Sequence, residues 1–179
     1  MGYEIYLRDG AKGDELWEKL MEVGAPLGLT PGHTSSIRRI EGAMLSYHAD
    51  ADAQTNPFEL GLDRLVDLEM DADFIGKDAL ARIKAEGPAR RQIGLILDGP
   101  RLPGPNTRFW TVYQNGKPIG KVTSAVYSPR LEQNIALAML RADSAVAGAQ
   151  VSVQTASETR TARCVQTPFY DPKKRIAAA

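Results

Sequence analysis

The chain has 179 residues and equal numbers of basic and acidic side chains, 22 of each, so no net field draws it to nucleic acid or to an anionic membrane. No apolar run approaches the roughly 20 residues that cross a bilayer, and the opening MGYEIYLRDG has neither the basic flank nor the apolar core of a signal peptide. The length suits one ordinary domain or two small ones, and the single Cys164 rules out an internal disulfide and points to a reducing cytoplasm.

In chain order, YEIYLR (3–8) alternates aromatic and β-branched residues and is expected to be a strand, turned by Asp9-Gly10. From Asp14, the segment ELWEKLMEV puts Leu16, Trp17, Leu20 and Met21 on one helical face. Asp14 is its expected cap and Gly24 its expected stop. Gly28, Pro31 and Gly32 then punctuate a loop. A second helix is expected from Thr34 to Ser36, with Ile37, Ile40 and Met44 as its buried stripe. Residues 64–69, RLVDLE, read as a short strand, and Asp73 as the cap of a helix packed on Leu80 and Ile83 and ending at Gly87-Pro88.

Past Pro88 the pattern changes. Short alternating runs recur at 92–99, 109–113, 118–122, 135–140, 151–155 and 160–166, with no helix-length pattern among them. Asn115-Gly116 is a strong two-residue hairpin signal. This spacing predicts a small antiparallel barrel or jelly roll. The expected fold is therefore α+β, with an α/β segment over 1–88 and a β domain over 89–179, and the tail KKRIAAA is expected to fray.

Chemical motifs are sparse. His33 and His48 stand in no metal-ligand spacing, and neither a Gly-x-Ser-x-Gly elbow nor a phosphate loop occurs. Asp50 and Asp52 read better as a solvated turn than as a paired acid and base. No metal ligand is assigned.

Seven segments, in order along the chain, resemble the C-terminal half of the glycine cleavage T-protein (aminomethyltransferase) superfamily. They are GYEIYL (2–7), RIEGAMLSY (39–47), NPFELGL (56–62), DFIGKDAL (73–80), IGKVTSAVYSP (119–129), IALAML (135–140) and PFYDP (168–172). The wording SSIRRIEGAMLSY followed by NPFELGL is more similar to the demethylase branch, typified by dimethylsulfoniopropionate demethylase.

This resemblance implies a tetrahydrofolate-dependent one-carbon transferase built as three domains around a central hole. The present chain would supply the end of a ferredoxin-like folate domain, a connecting segment and the C-terminal barrel. It implies cofactor-binding roles for Arg39, Glu41, Tyr47, Glu59 and Arg101, with Arg108 in the same Pro/Gly-rich loop. Each has a plainer alternative: Arg39 and Glu41 bracing a helix, Tyr47 packing in the core, Glu59 anchoring loop amides, and the hydroxyls of 123–129 bonding their own backbone.

Departures from the family pattern carry equal weight. The family's pterin-binding Glu and the Asp near its reacting carbon have no counterpart here, its helix Arg falls at Ser35, and its Gly after the Tyr is His48. No catalytic residue is therefore expected on this chain. The expected partners are a chain carrying the N-terminal half and a small-molecule methyl donor, an onium or a methylated amine. The alternative reading is a non-catalytic barrel module that no longer holds folate.

Overall fold

The computed structural model describes residues 3–32, 35–173 and 175. The expectations for His33, for Thr34 as a cap and for most of the 173–179 tail fall outside them. The described residues divide into two units, one within Met1–Ser35 and Arg175–Ala179, the other within Ser36–Lys174.

In the first unit Asp9 accepts a hydrogen bond from the Ala11 amide, and a 3-10 turn over Gly10–Lys12 leads into helix α1, Gly13–Gly24. Asp14 sits in the first turn of α1, where its charge favours the helix N-terminus, but Lys12 occupies the cap position. A further 3-10 turn, Ala25–Leu27, ends at Gly28, whose φ of 84° only glycine adopts without strain. The expected strand over 3–8 is absent. A strand is held by its neighbour's ladder, and no described strand pairs with it. Its side chains stay out in solvent, Tyr3 88% and Tyr6 84% exposed. Amphipathic α1 buries none of its residues, and Trp17 is 53% exposed.

The second unit begins with α2, Ser36–Glu41, which buries Ile40 against Val126, Ile135 and Leu137, with Ile37 packed alongside. Ala43 takes a left-handed φ of 53°, and the Met44 amide reaches back to the Arg39 carbonyl, ending the helix. Met44 consequently points outward, 66% exposed, rather than extending the stripe. The expected strand at 64–69 is a 3-10 turn, Asp63–Leu65, followed by loop in which Asp67 bonds the Glu69 amide. The acidic side chain there satisfies its own backbone, in competition with any ladder. Helix α3, Lys77–Glu86, starts after Gly76 at φ 93°, not at Asp73, whose carboxylate bonds the Phe74 amide. Leu80 and Ile83 are only half-buried.

The remaining elements are six antiparallel strands: β1 (Arg90–Leu97), β2 (Trp110–Gln114), β3 (Lys117–Ser128), β4 (Gln133–Arg141), β5 (Gln150–Gln154) and β6 (Thr159–Val165). They close into a barrel in the order β1-β4-β3-β2-β5-β6, with β6 returning to β1. Closure removes the exposed sheet edges that invite aggregation. Asn115 and Gly116 both have positive φ, as the tight β2–β3 hairpin requires. Alternate residues fill the interior: Ile93, Leu95 and Leu97 from β1 meet Val112, Val122, Ala138, Leu140, Val153 and Cys164. Strand β3 carries a bulge, since Val122 opposes Ala138 while Ser124 opposes Leu137, leaving Thr123 as the extra residue. No helix among the described residues is long and apolar enough to cross a membrane.

Candidate functional site

Residues 36–62 lie against the barrel through three polar clamps. The first centres on Asp50, 3% exposed. Its Oδ1 accepts from Thr123 Oγ1 at 2.6 Å and Ser124 Oγ at 2.7 Å. Its Oδ2 accepts from Arg39 Nη1 at 2.6 Å and the Ser46 amide at 2.9 Å. Arg39 also donates to the Met44 carbonyl and, through Nη2, to Ser124 Oγ at 2.8 Å. The bulge explains how neighbouring Thr123 and Ser124 reach one oxygen, because in a regular strand they would point to opposite faces.

The second clamp joins Glu41 to the end of β3. Ser128 Oγ donates to Glu41 Oε1 at 2.6 Å, both side chains are buried, and the Tyr170 amide donates to the Glu41 carbonyl. The third is the Asn56-Pro57-Phe58-Glu59 turn. Asn56 Oδ1 accepts from the Glu59 amide and Glu59 Oε2 from the Asn56 amide, the reciprocal arrangement of a capping box with proline just inside it. Glu59 then receives Arg90 Nε at 2.9 Å and Nη2 at 3.0 Å, a bidentate pair. This hydrogen bonding, opposed by partial burial, holds the Arg90 guanidinium above its ordinary pKa, with the Coulombic attraction of Glu59 and Asp52 added.

The five candidate residues are thus not brought together as one open site. Arg39, Glu41 and Glu59 point into internal clamps. Tyr47, whose plainer alternative to a cofactor role is packing in the core, is 62% exposed and stands edge-on to His48, ring centroids 4.5 Å apart. Exposed Arg101 lays its guanidinium 4.6 Å over the Tyr127 ring. The hydroxyls of 123–128 bond carboxylates far away in sequence rather than mainly their own backbone. Asp50, read as a solvated turn, is the buried hub of the first clamp. The signal for it is the bulge, which the letters VTSAV do not announce.

Tyr47 and His48 form one wall of an open cleft of about 500 Å³, with Phe109 and Arg108 on the other. Asn106 fixes that second wall: its Oδ1 accepts from the Ala125 amide, and its Nδ2 donates to the Arg108 and Thr123 carbonyls.

The chain matches two family models, the GCVT N-terminal domain over residues 1–70 and the glycine cleavage T-protein C-terminal barrel domain over residues 90–171. The aminomethyltransferase of Synechococcus sp. (strain RCC307) is 43% identical over 170 residues, 94% of this chain and 45% of that protein. The aminomethyltransferase of Symbiobacterium thermophilum is 38% identical over 178 residues, 97% of this chain and 46% of that protein. The crystal structure of the glycine cleavage system aminomethyltransferase T from Bartonella henselae shares the fold, with a TM-score of 0.73 at 21% identity over 90% of this chain and 44% of that one. The chain belongs to the glycine cleavage T-protein superfamily. It spans less than half the length of these curated relatives.

Proposed function

We propose that this chain is the C-terminal half of a tetrahydrofolate-dependent one-carbon transferase, completed by the N-terminal half of the family fold, carried either on a separate subunit or on the rest of a longer polypeptide. The observation that carries this reading is the alignment of 94% of the chain with less than half of an aminomethyltransferase at 43% identity. The apolar side chains left exposed on residues 3–29, Tyr3, Tyr6, Trp17 and Leu27 among them, support it, since a partner would cover them.

Tetrahydrofolate offers a flat ring system and an anionic glutamate tail, and when bound it supplies the N5 nitrogen that accepts the one-carbon group. Two of the five candidates fit those features from where they stand. Tyr47 presents an exposed ring face. Arg101, stacked on Tyr127, keeps its planar fork oriented for a carboxylate. In this reading Arg39, Glu41 and Glu59 are positioning residues that hold Tyr47 and its loop to the barrel. The donor is a small onium or a methylated amine, and the demethylase-like wording of 35–62 widens the class beyond aminomethyl carriers. The buried thiol of Cys164 suits a cytoplasmic enzyme.

The internal ties of Arg39, Glu41 and Glu59 favour a second reading, a barrel module that binds a protein partner and no longer holds folate. One-carbon transfer assays on the chain assembled with its N-terminal half separate the two. Formation of methylated or methylene tetrahydrofolate from an onium or amine donor supports the transferase, and assembly without transfer or folate binding supports the module.

A further inference from the structure

The first unit carries the residue pattern of a packed helix-on-sheet layer and none of its packing. Among the described residues 3–32 none is buried, and only Leu16, Met21 and Gly24 are half-buried. In α1 the residues Trp17, Leu20 and Val23 share an apolar face with Leu16, while Glu15, Glu18 and Glu22 lie opposite. Trp17 and Val23 are more than half exposed, and Leu20 is 38% exposed. A helix of 12 residues is marginal in water by itself and draws its stability from packing such a face. The face of α1 therefore needs a cover.

Residues 3–8 have the complementary need. An extended run puts Tyr3, Ile5 and Leu7 on one face and Glu4, Tyr6 and Arg8 on the other. The Tyr6 hydroxyl donates to the Glu4 carboxylate along that second face. No described strand pairs with the segment, and a sheet edge is what its backbone donors and acceptors fit. Both segments fall within the match to the GCVT N-terminal domain, and more than half the length of the related aminomethyltransferases has no counterpart in this chain. The cover they fit is thus a β-sheet with an open edge and an apolar face, supplied by the rest of that family fold.

We infer that residues 3–29 are a docking segment, which adds 3–8 as a strand to the open sheet edge of the N-terminal half and lays the Trp17 and Leu20 face of α1 on that sheet. The inference rests on the proposed assembly for the source of the sheet. It adds where the two halves join and by which contacts, and it assigns no part of that joint to the barrel.

The test is amide hydrogen exchange, read by mass spectrometry, on this chain alone and mixed with a chain matching the N-terminal half of the aminomethyltransferases. Residues 3–8 should exchange freely in the chain alone and gain protection of about tenfold or more in the pair, with slower exchange in α1. The double variant Ile5→Pro and Tyr6→Pro removes two successive amides, one of which faces any ladder partner. That variant, and Leu20→Glu on the apolar face, should each weaken association about tenfold or more, whereas Glu18→Gln on the opposite face should not. All of these positions are exposed and outside the barrel unit, so barrel melting should be the same in each variant, which separates a lost interface from a lost fold. A pair that assembles with 3–8 unprotected, or with an affinity that neither disruptive variant changes, would overturn the docking segment and leave the transferase reading to its own assay. Protection at 3–8 in a pair that binds no tetrahydrofolate would uphold the docking segment and overturn the transferase. Protection in this chain alone, at the mass of a dimer, would give the face to a second copy and overturn the N-terminal half as its occupant. No association at all would overturn both.

Discussion

Thr123 and Ser124 are neighbours in one strand, yet both donate to the same oxygen of Asp50, at 2.6 and 2.7 Å. That convergence exists because β3 carries its bulge between Val122 and Ser124. It gives Asp50, 73 residues before Thr123 in the chain, a fixed seat on the barrel, and with it the loop that presents Tyr47 and His48.

Removing the Asp50 carboxylate leaves the Arg39 charge without its counter-ion and the buried Ser124 hydroxyl without its acceptor, while Thr123 Oγ1 keeps only the Leu137 carbonyl at 3.1 Å. Asp50→Ala should therefore cost about 3–5 kcal/mol of stability, the range for breaking a buried ion pair. Asp50→Asn should recover little of it. If its oxygen faces Thr123 and Ser124, its NH₂ must face the Arg39 guanidinium and the Ser46 amide, donor against donor. Urea denaturation of the three proteins measures both costs.

Glu41 and Ser128 form the second seat, buried and 2.6 Å apart. A double-mutant cycle with Glu41→Ala and Ser128→Ala should give a coupling energy of about 1.5–3 kcal/mol, as for a hydrogen bond to a charged group. A coupling near zero would mean that the contact contributes nothing to holding α2 on the barrel.

Gly120 lies in β3 directly against the backbone of β4. A Cβ there would lie 2.1 Å from the Met139 carbonyl oxygen and 2.8 Å from Leu140 Cα, both backbone atoms that cannot rotate away. Gly120→Ala should cost at least about 3 kcal/mol, at the upper end of ordinary overpacking. By contrast, a Cβ at Gly104 meets nothing within 4 Å, so Gly104→Ala should be close to neutral. Thermal melts of the pair provide the comparison.

Burial raises the Cys164 thiol above its ordinary pKa. The folded state therefore keeps this proton at a pH where the unfolded chain has lost it. The sign follows: the stabilisation is complete below the unfolded thiol pKa and is lost as pH rises through the folded one. Cys164→Ala should flatten that alkaline loss. In the native chain, alkylation of Cys164 near neutral pH should proceed only as fast as the barrel opens, which its dependence on denaturant concentration reports.

Much of the barrel was legible because each strand needs only a local alternation and a turn, and Asn115-Gly116 is a turn that names itself. The amphipathic α1 was legible for the same reason. Residues 3–8 were not, since alternation shows what a strand would look like but not whether a neighbour is there to pair with it. At 64–69 the Asp67 carboxylate bonds the Glu69 amide, a competition that hydrophobic pattern does not register. For the site, the sequence picked out Arg39, Glu41 and Glu59 but not their partners. Those partners, Asp50, Ser128 and Arg90, are set by the register of β3 and by where β1 begins. Met44, expected in the buried stripe, lies outside because Ala43 ends α2 before it, and Tyr47 is exposed rather than packed in the core, its plainer alternative.

Binding of tetrahydrofolate by this chain as one half of a larger enzyme is open to direct test. The most direct measurement is calorimetric titration of tetrahydrofolate into three samples: this chain, a chain matching the N-terminal half of the aminomethyltransferases, and the two together. The two chains should co-elute as a stoichiometric complex, and only the complex should bind tetrahydrofolate and transfer a one-carbon group to it. Full binding and transfer by this chain alone, or a complex that forms and leaves tetrahydrofolate unbound, would contradict it.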